Sequence, residues 1–193
     1  MNISELINSG SKALKLNRIE THQLDSELVL SNLLKRQREN LLINLNQKVS
    51  ENIVINFEKL IIRRANNEPL AYIFKNKEFW SKDFFVNRNT LIPRPETELL
   101  CENIIKIFKN KNPYILDMGT GSGCIILSIL SELKKAKGLG VDISSKAVEI
   151  AKNNSIKLGL NKRVKFFRKS LENIHNCKFD LIVSNPPYIK TSD

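Results

Sequence analysis

Along the first third of the chain, apolar residues recur with the period of a helix. Ile53, Val54, Phe57, Leu60 and Ile61 stand at i, i+1, i+4, i+7 and i+8, one face of a helix over residues 50–66. Arg63 and Arg64 fall in its last turn, where cations meet the negative end of the helix dipole. Leu24, Leu28, Leu33 and Leu34 predict a second apolar stripe, with Thr21 as its N-cap. A further helix is expected over residues 3–16, so residues 1–68 read as a small helical bundle.

The period changes after Glu68-Pro69-Leu70. From Ala71 to Val86 the chain is aromatic and β-prone, through Tyr72, Phe74, Phe79, Trp80, Phe84 and Phe85. Asn76-Lys77 stands where a hairpin turn is expected. Leu91-Ile92-Pro93-Arg94-Pro95-Glu96-Thr97-Glu98 follows, and its prolines impose an extended run before a helix over residues 97–109. Residues 69–96 are therefore expected to form a β-hairpin and a proline-rich linker.

From Pro113 short strands and helices alternate. Strands are predicted at 114–118, 138–141, 164–167 and 179–183, with helices at 124–134 and 145–158 between the first three. Elements of this length in alternation imply a parallel sheet with right-handed crossovers. The predicted fold class is α/β: a helical bundle and hairpin, then the N-terminal half of a Rossmann-like domain, with a mainly parallel sheet, over residues 97–193.

Composition narrows the function classes. With 193 residues, 41% of them hydrophobic, the chain is long and apolar enough for a real core, which excludes disorder. No run approaches the roughly 20 apolar residues of a membrane span, and Met1-Asn2-Ile3-Ser4-Glu5 lacks the pattern of a signal peptide. Cys101, Cys124 and Cys177 are scattered without metal-ligand spacing, which fits a reduced, cytoplasmic protein. Two histidines, His22 and His175, argue against Ser-His-Asp hydrolysis and His-based metal sites.

The formal charge is +11, about +3 from residues 1–100 and +8 from residues 101–193. Lysine dominates it, in a composition also rich in Ile and Asn, as an AT-rich genome produces. No basic stripe is interleaved with aromatics, so direct nucleic-acid binding is not required. A protein partner suits the chain better.

Three motifs carry chemistry, each at the carboxyl end of a predicted strand. Asp117-Met118-Gly119-Thr120-Gly121-Ser122-Gly123 is a glycine-rich strand-to-helix turn that lets backbone approach a ligand. Asp142 ends the next strand, 19 residues past Gly123, where a carboxylate accepts from both ribose hydroxyls of a nucleoside-containing cofactor. Ser184-Asn185-Pro186-Pro187-Tyr188 follows the last predicted strand. The Asn185 side chain and the Pro186 carbonyl offer two acceptors, and Tyr188 offers a flat face. That set suits a planar –NH2 group, whether a carboxamide or an exocyclic amine.

These motifs resemble those of S-adenosylmethionine-dependent N-methyltransferases. Together with Phe79-Trp80, Phe85-x-Val and the Leu91–Glu98 segment, they resemble specifically the HemK/PrmC family of peptide chain release factor glutamine N5-methyltransferases. The resemblance spans essentially the whole chain. It implies S-adenosyl-L-methionine as cofactor, no metal, and the glutamine of a release factor Gly-Gly-Gln loop as substrate. The helical part is implied to contact the release factor. By the same resemblance Gly119, Thr120, Gly121, Ser122 and Gly123 line the methionine part of the cofactor, Asp142 holds its ribose, and Asn185 also belongs to the cofactor-binding set. Asn185, Pro186, Pro187 and Tyr188 hold the substrate amide, with Asn185, Pro186 and Tyr188 as the catalytic set. The implied enzyme is a monomer when complete.

Two features depart from the family pattern. Arg168-Lys169-Ser170-Leu171 stands where an acidic or amide residue usually meets the adenine, leaving Ser170 for that role. The chain also ends five residues after Tyr188, at Asp193, before the strands that complete a methyltransferase sheet. A C-terminally truncated form is expected, with residues 179–183 as an apolar sheet edge. A fragment that keeps only cofactor or partner binding stays open as an alternative. So does methylation of a nucleic-acid adenine, which would have to be flipped out onto Tyr188, or of a ribosomal-protein glutamine.

Overall fold

The computed structural model describes residues 1–170 and 177–186. The chain separates into two compact units, Met1–Phe74 and Lys75–Asp193.

The first unit contains helices α1 (Ile3–Leu16), α2 (His22–Leu34), α3 (Arg38–Ile43), α4 (Glu51–Ala65) and α5 (Leu70–Phe74). A capping box opens α1: Asn2 Oδ1 accepts the Glu5 amide at 2.8 Å, and the Asn2 amide donates to Glu5 Oε2 at 2.9 Å. Ile3, Leu6, Leu14, Leu30, Leu41 and Phe57 form the centre of one apolar core. Helix α4 turns its predicted face inward, with Phe57 and Ile61 fully buried.

Helix α2 departs from the predicted stripe. Leu24 is 42% exposed, whereas Asp25, Ser26, Glu27, Val29, Leu30 and Ser31 are buried. The cause is position: α2 packs against each of the other four helices, so most of its circumference is covered. Its buried polar groups therefore need partners. Asp25 accepts from Arg64 Nε at 2.6 Å, Ser26 Oγ donates to the Ile7 carbonyl at 2.7 Å, and Glu27 pairs with Arg38 at 2.6 Å. Thr21 does stand at the N-cap, but its hydroxyl donates to the Asp25 carboxylate at 2.9 Å and caps no helix amide.

The second unit opens with an antiparallel hairpin, β1 (Lys77–Phe79) and β2 (Lys82–Phe84). Its turn is Trp80-Ser81, with φ of 53° and 52°, the left-handed pair that matches hairpin twist. The turn expected at Asn76-Lys77 is thus corrected, since Lys77 opens β1. The aromatic run before it, residues 71–74, is helical in α5. The Pro69 carbonyl starts that helix by accepting the Tyr72 and Ile73 amides at 3.0 and 3.1 Å. Packing of α5 on α4 and α2 outweighs the weak β-preference of Tyr72 and Phe74.

Then come α6 (Glu96–Ile107), β3 (Tyr114–Met118), α7 (Cys124–Glu132), β4 (Lys137–Asp142), α8 (Ser145–Lys157), β5 (Val164–Arg168) and β6 (Leu181–Ser184). The last four strands form a parallel sheet in the order β5-β4-β3-β6. Ile115, Leu116 and Asp117 of β3 are buried, as expected of a central strand. Helix α7 is largely apolar, with residues 124–130 buried without a break. Tyr114 and Asp180 tie β6 to β3: the Tyr114 amide donates to Asp180 Oδ2 at 2.7 Å, and the Asp180 amide to the Tyr114 carbonyl at 2.9 Å. Among the described residues β6 is an edge strand, and its Ile182 is exposed, in line with the predicted apolar edge.

Topology decides where a ligand belongs. Strands β4 and β6 flank β3 on opposite sides, so the chain reverses direction across the sheet at β3. Such a reversal opens a crevice at the carboxyl ends of the strands. The glycine turn leaves β3, Asp142 ends β4 and Asn185 follows β6, so all three motifs converge there. Among the described residues, no helix is long and apolar enough to cross a membrane.

Candidate functional site

The glycine turn is held from beneath by β4. The Gly119 and Thr120 amides both donate to the Val141 carbonyl, at 2.9 and 3.0 Å, and the Gly123 amide closes on the Thr120 carbonyl at 2.8 Å. Gly119, Gly121 and Gly123 adopt φ of +68°, +55° and +79°, a region in which a side chain is strained. Their surroundings differ. A Cβ on Gly119 would meet nothing within 4 Å, whereas one on Gly123 would press on Leu127 at 3.0 Å, Ala151 at 3.3 Å and Phe166 at 3.4 Å. Gly119 leaves open space, and Gly123 lets α7 and α8 close on the sheet.

Asp142 is fixed through both oxygens. Oδ2 accepts the Gly121 amide at 3.0 Å and Oδ1 the Ser144 amide at 2.9 Å. Each carboxylate oxygen keeps a lone pair for a further donor. Ser144 then caps α8, its hydroxyl accepting the Ala147 amide at 3.2 Å. The Asp142 carbonyl accepts the Lys169 amide at 3.1 Å, which brings Ser170, past the end of β5, to the same end of the sheet.

Asp117, beneath the turn, is fully buried. Burial pushes its carboxyl up to about 6, against the Thr120 hydroxyl, which donates to Oδ2 at 2.7 Å, and the Ile126 amide, both of which favour the charged form. Burial also pushes the Cys101 and Cys124 thiols up to about 12, so neither is a thiolate nucleophile at neutral pH.

Asn185 closes the opposite side. Its Nδ2 donates to the Thr97 hydroxyl at 3.2 Å, and Thr97 is buried in the first turn of α6. Ser184 Oγ donates to the Met118 carbonyl at 3.0 Å, tying the strand end to β3. Leu91, Ile92, Pro93 and Thr97 line one side of a cleft whose other surfaces come from residues 119–122, Cys124, Ile125 and Asn185. The proline-rich segment, the glycine turn and the amide motif thus meet in one place, with Asp142 bonded to the turn. Pro186 is exposed at the end of the described motif. Pro187 and Tyr188 lie outside the described residues.

Two residues that the sequence reading did not single out belong to this assembly. Thr97 is one. Asn154 is the other: its side chain exchanges two hydrogen bonds with the Phe85 backbone, at 2.9 and 3.0 Å, and donates to the Ser122 carbonyl at 2.9 Å. Its signal was an amide on the apolar face of α8, seven residues past Ala147 and three past Ala151.

Residues 5–74 match the family model described as the PrmC N-terminal domain, and residues 95–193 the model of the methyltransferase small domain. A release factor glutamine methyltransferase of Buchnera aphidicola subsp. Schizaphis graminum is 42% identical over 189 residues, which cover 98% of this chain and 68% of that protein. The chain belongs to the release factor glutamine methyltransferase family. A bifunctional methyltransferase of Rickettsia typhi is 37% identical over 211 residues, covering 99% of this chain and 41% of its own length. The chain therefore spans about two fifths of such relatives and about two thirds of the Buchnera family member. Among solved structures, an RNA methyltransferase from Salinibacter ruber in complex with S-adenosyl-L-homocysteine aligns with a TM-score of 0.42 at 19% identity, over 48% of this chain and 60% of that one.

Proposed function

We propose that the cleft binds S-adenosyl-L-methionine and directs its methyl group to the side-chain amide nitrogen of a glutamine, in the Gly-Gly-Gln loop of a peptide chain release factor. The observation that carries this reading is the convergence of Asn185, the glycine turn and Asp142 at the sheet's point of reversal. Membership of the family supports the choice of substrate.

The residues present fit the cofactor. Gly119 leaves open space above the turn, and Asp142 is held rigidly with lone pairs to spare. In this reading residues 119–123 line the methionine part, Asp142 accepts from the ribose hydroxyls, and Ser170 meets the adenine edge. When bound, the cofactor supplies a methyl group on a positively charged sulfur.

The chain's own part is orientation. The Asn185 side-chain carbonyl and the Pro186 carbonyl accept the two N–H groups of the glutamine amide, turning its nitrogen towards the cleft. Pro187 and Tyr188, which lie outside the described residues, take the role that the family resemblance gives them, holding the amide and excluding water. Positioning and exclusion of water carry the rate more than an acid–base pair. The helical residues 1–68 recognise the release factor, residues 69–96 link, and residues 97–193 hold the chemistry. The setting is the cytoplasm, in translation termination, with the complete enzyme as a monomer that needs no nucleic acid.

Incubating the chain with methyl-labelled cofactor and a release factor tests the reading. Label is expected in the release factor. Label in nucleic acid or ribosomal protein instead, or none anywhere, overturns it.

A further inference from the structure

Asn185 precedes Pro186, and a residue before proline is held out of the helical region. Its backbone is therefore confined, but its side chain is not. An asparagine amide has two nearly equal flat orientations related by rotation of its last torsion. Only one of them offers a carbonyl oxygen to an incoming –NH2 group; the other sets –NH2 against –NH2. The side chain needs a partner that holds it in place.

We infer that Thr97 holds the Asn185 side chain in place: its hydroxyl accepts Asn185 Nδ2 at 3.2 Å, an arrangement in which the carbonyl oxygen is the free end of the amide. Thr97 is a positioning residue that acts through Asn185. The inference rests on the proposed role of Asn185 as amide acceptor.

Thr97 is well placed to do so because its own position is fixed. It is buried in the first turn of α6, and its amide donates to the Arg94 carbonyl at 3.0 Å. Pro93 and Pro95 set the backbone just before it. Glu98, the next residue, accepts the Trp80 amide at 2.8 Å and so anchors the start of α6 to the hairpin turn. A hydroxyl on a rigid helix start gives a more exact reference than one on a loop. This gives Thr97, at the start of the helix predicted over residues 97–109, a task in the chemistry.

The test compares Thr97→Val, which keeps the shape and removes the hydroxyl, with Thr97→Ser, which keeps the hydroxyl. Thr97→Val is expected to lower kcat for release factor methylation by roughly ten- to a hundredfold, as for a misplaced reacting group. Cofactor affinity by calorimetry should stay unchanged, and Thr97→Ser should stay within about threefold of wild type, since it keeps the acceptor. In an Asn185→Ala background the Thr97→Val change should add nothing to the residual rate. Should Thr97→Val not fold, Thr97→Ala enters the same comparison.

Normal kcat in Thr97→Val, with transfer lost in Asn185→Ala, overturns the positioning role and leaves the site reading standing. An unchanged rate in Asn185→Ala, or no transfer by the wild-type chain, overturns the site reading and this inference with it. A loss in Thr97→Val that Thr97→Ser does not rescue assigns Thr97 a purely structural part, one that comes with weaker cofactor binding assigns it to the cofactor wall of the cleft, and either overturns the inference.

Discussion

The Asp142 carboxylate accepts the Gly121 amide at 3.0 Å, so the residue that ends β4 also fixes the turn that leaves β3. Its second oxygen takes the Ser144 amide, and both interactions are charge-assisted. With Asp142 proposed to hold the cofactor ribose, a substitution here is expected to strike cofactor and turn together. Asp142→Ala is expected to weaken S-adenosylmethionine binding by about 2 kcal/mol, roughly thirtyfold. Asp142→Asn should do almost as badly, because its –NH2 would face one of those backbone amides. Calorimetry on both variants checks this, and an Asn variant with near-normal affinity would contradict it.

Asp117 makes stability depend on pH. Its folded pKa of about 6 lies above the ordinary aspartate value of 3.8, so between these values the folded state holds more proton than the unfolded one. Stability from this group is present in acid and is lost as pH rises through 6. The isosteric Asp117→Asn should therefore gain stability over wild type at pH 7.5, by up to about 3 kcal/mol at 1.4 kcal/mol per unit. The gain should shrink towards pH 4. Denaturant unfolding of both proteins across this range reads the difference directly, and a gain independent of pH would refute it.

The glycines of the turn should separate by function. Gly119→Ala meets no atoms and carries only backbone strain, about 1 kcal/mol. Its cost should appear mainly as lost cofactor affinity, since the methyl enters the cleft. Gly123→Ala adds contact with Leu127, Ala151 and Phe166 to the same strain, and should cost at least about 2 kcal/mol of stability. Thermal unfolding and calorimetry on the pair test the split.

Much of this site was legible in the sequence, and the parts that were not share a cause. The glycine turn, Asp142 and Asn185 announce themselves because their geometry is local: a strand end followed by residues of special backbone freedom or chemistry. Thr97 and Asn154 work through partners 88 and 69 residues away, and such pairs leave no trace in spacing. The burial of α2 has the same origin. Asp25, Ser26 and Glu27 look like a solvent face until four helices surround them. At the hairpin, local preference misled: aromatic residues 71–74 favour a strand, yet Pro69 and packing make them a helix.

Asn154 offers a way to test action at a distance within the second unit. Its three hydrogen bonds join the Phe85 backbone to the Ser122 carbonyl in the glycine turn. Asn154→Ala is expected to cost about 2–4 kcal/mol of stability, because buried backbone groups lose their partners. Cofactor affinity should fall as well, although Asn154 does not line the cleft. A variant that loses stability but binds cofactor normally would show that the turn keeps its shape without this tie.

The central claim is that the amide at Asn185 receives a glutamine. Tandem mass spectrometry of a release factor, after incubation with the chain and S-adenosylmethionine, tests it most directly. One added methyl group on the glutamine of the Gly-Gly-Gln loop is the predicted result, absent when Asn185→Ala replaces the wild-type chain. A methyl group at another residue, or on that glutamine with Asn185→Ala as readily as with wild type, would contradict the account.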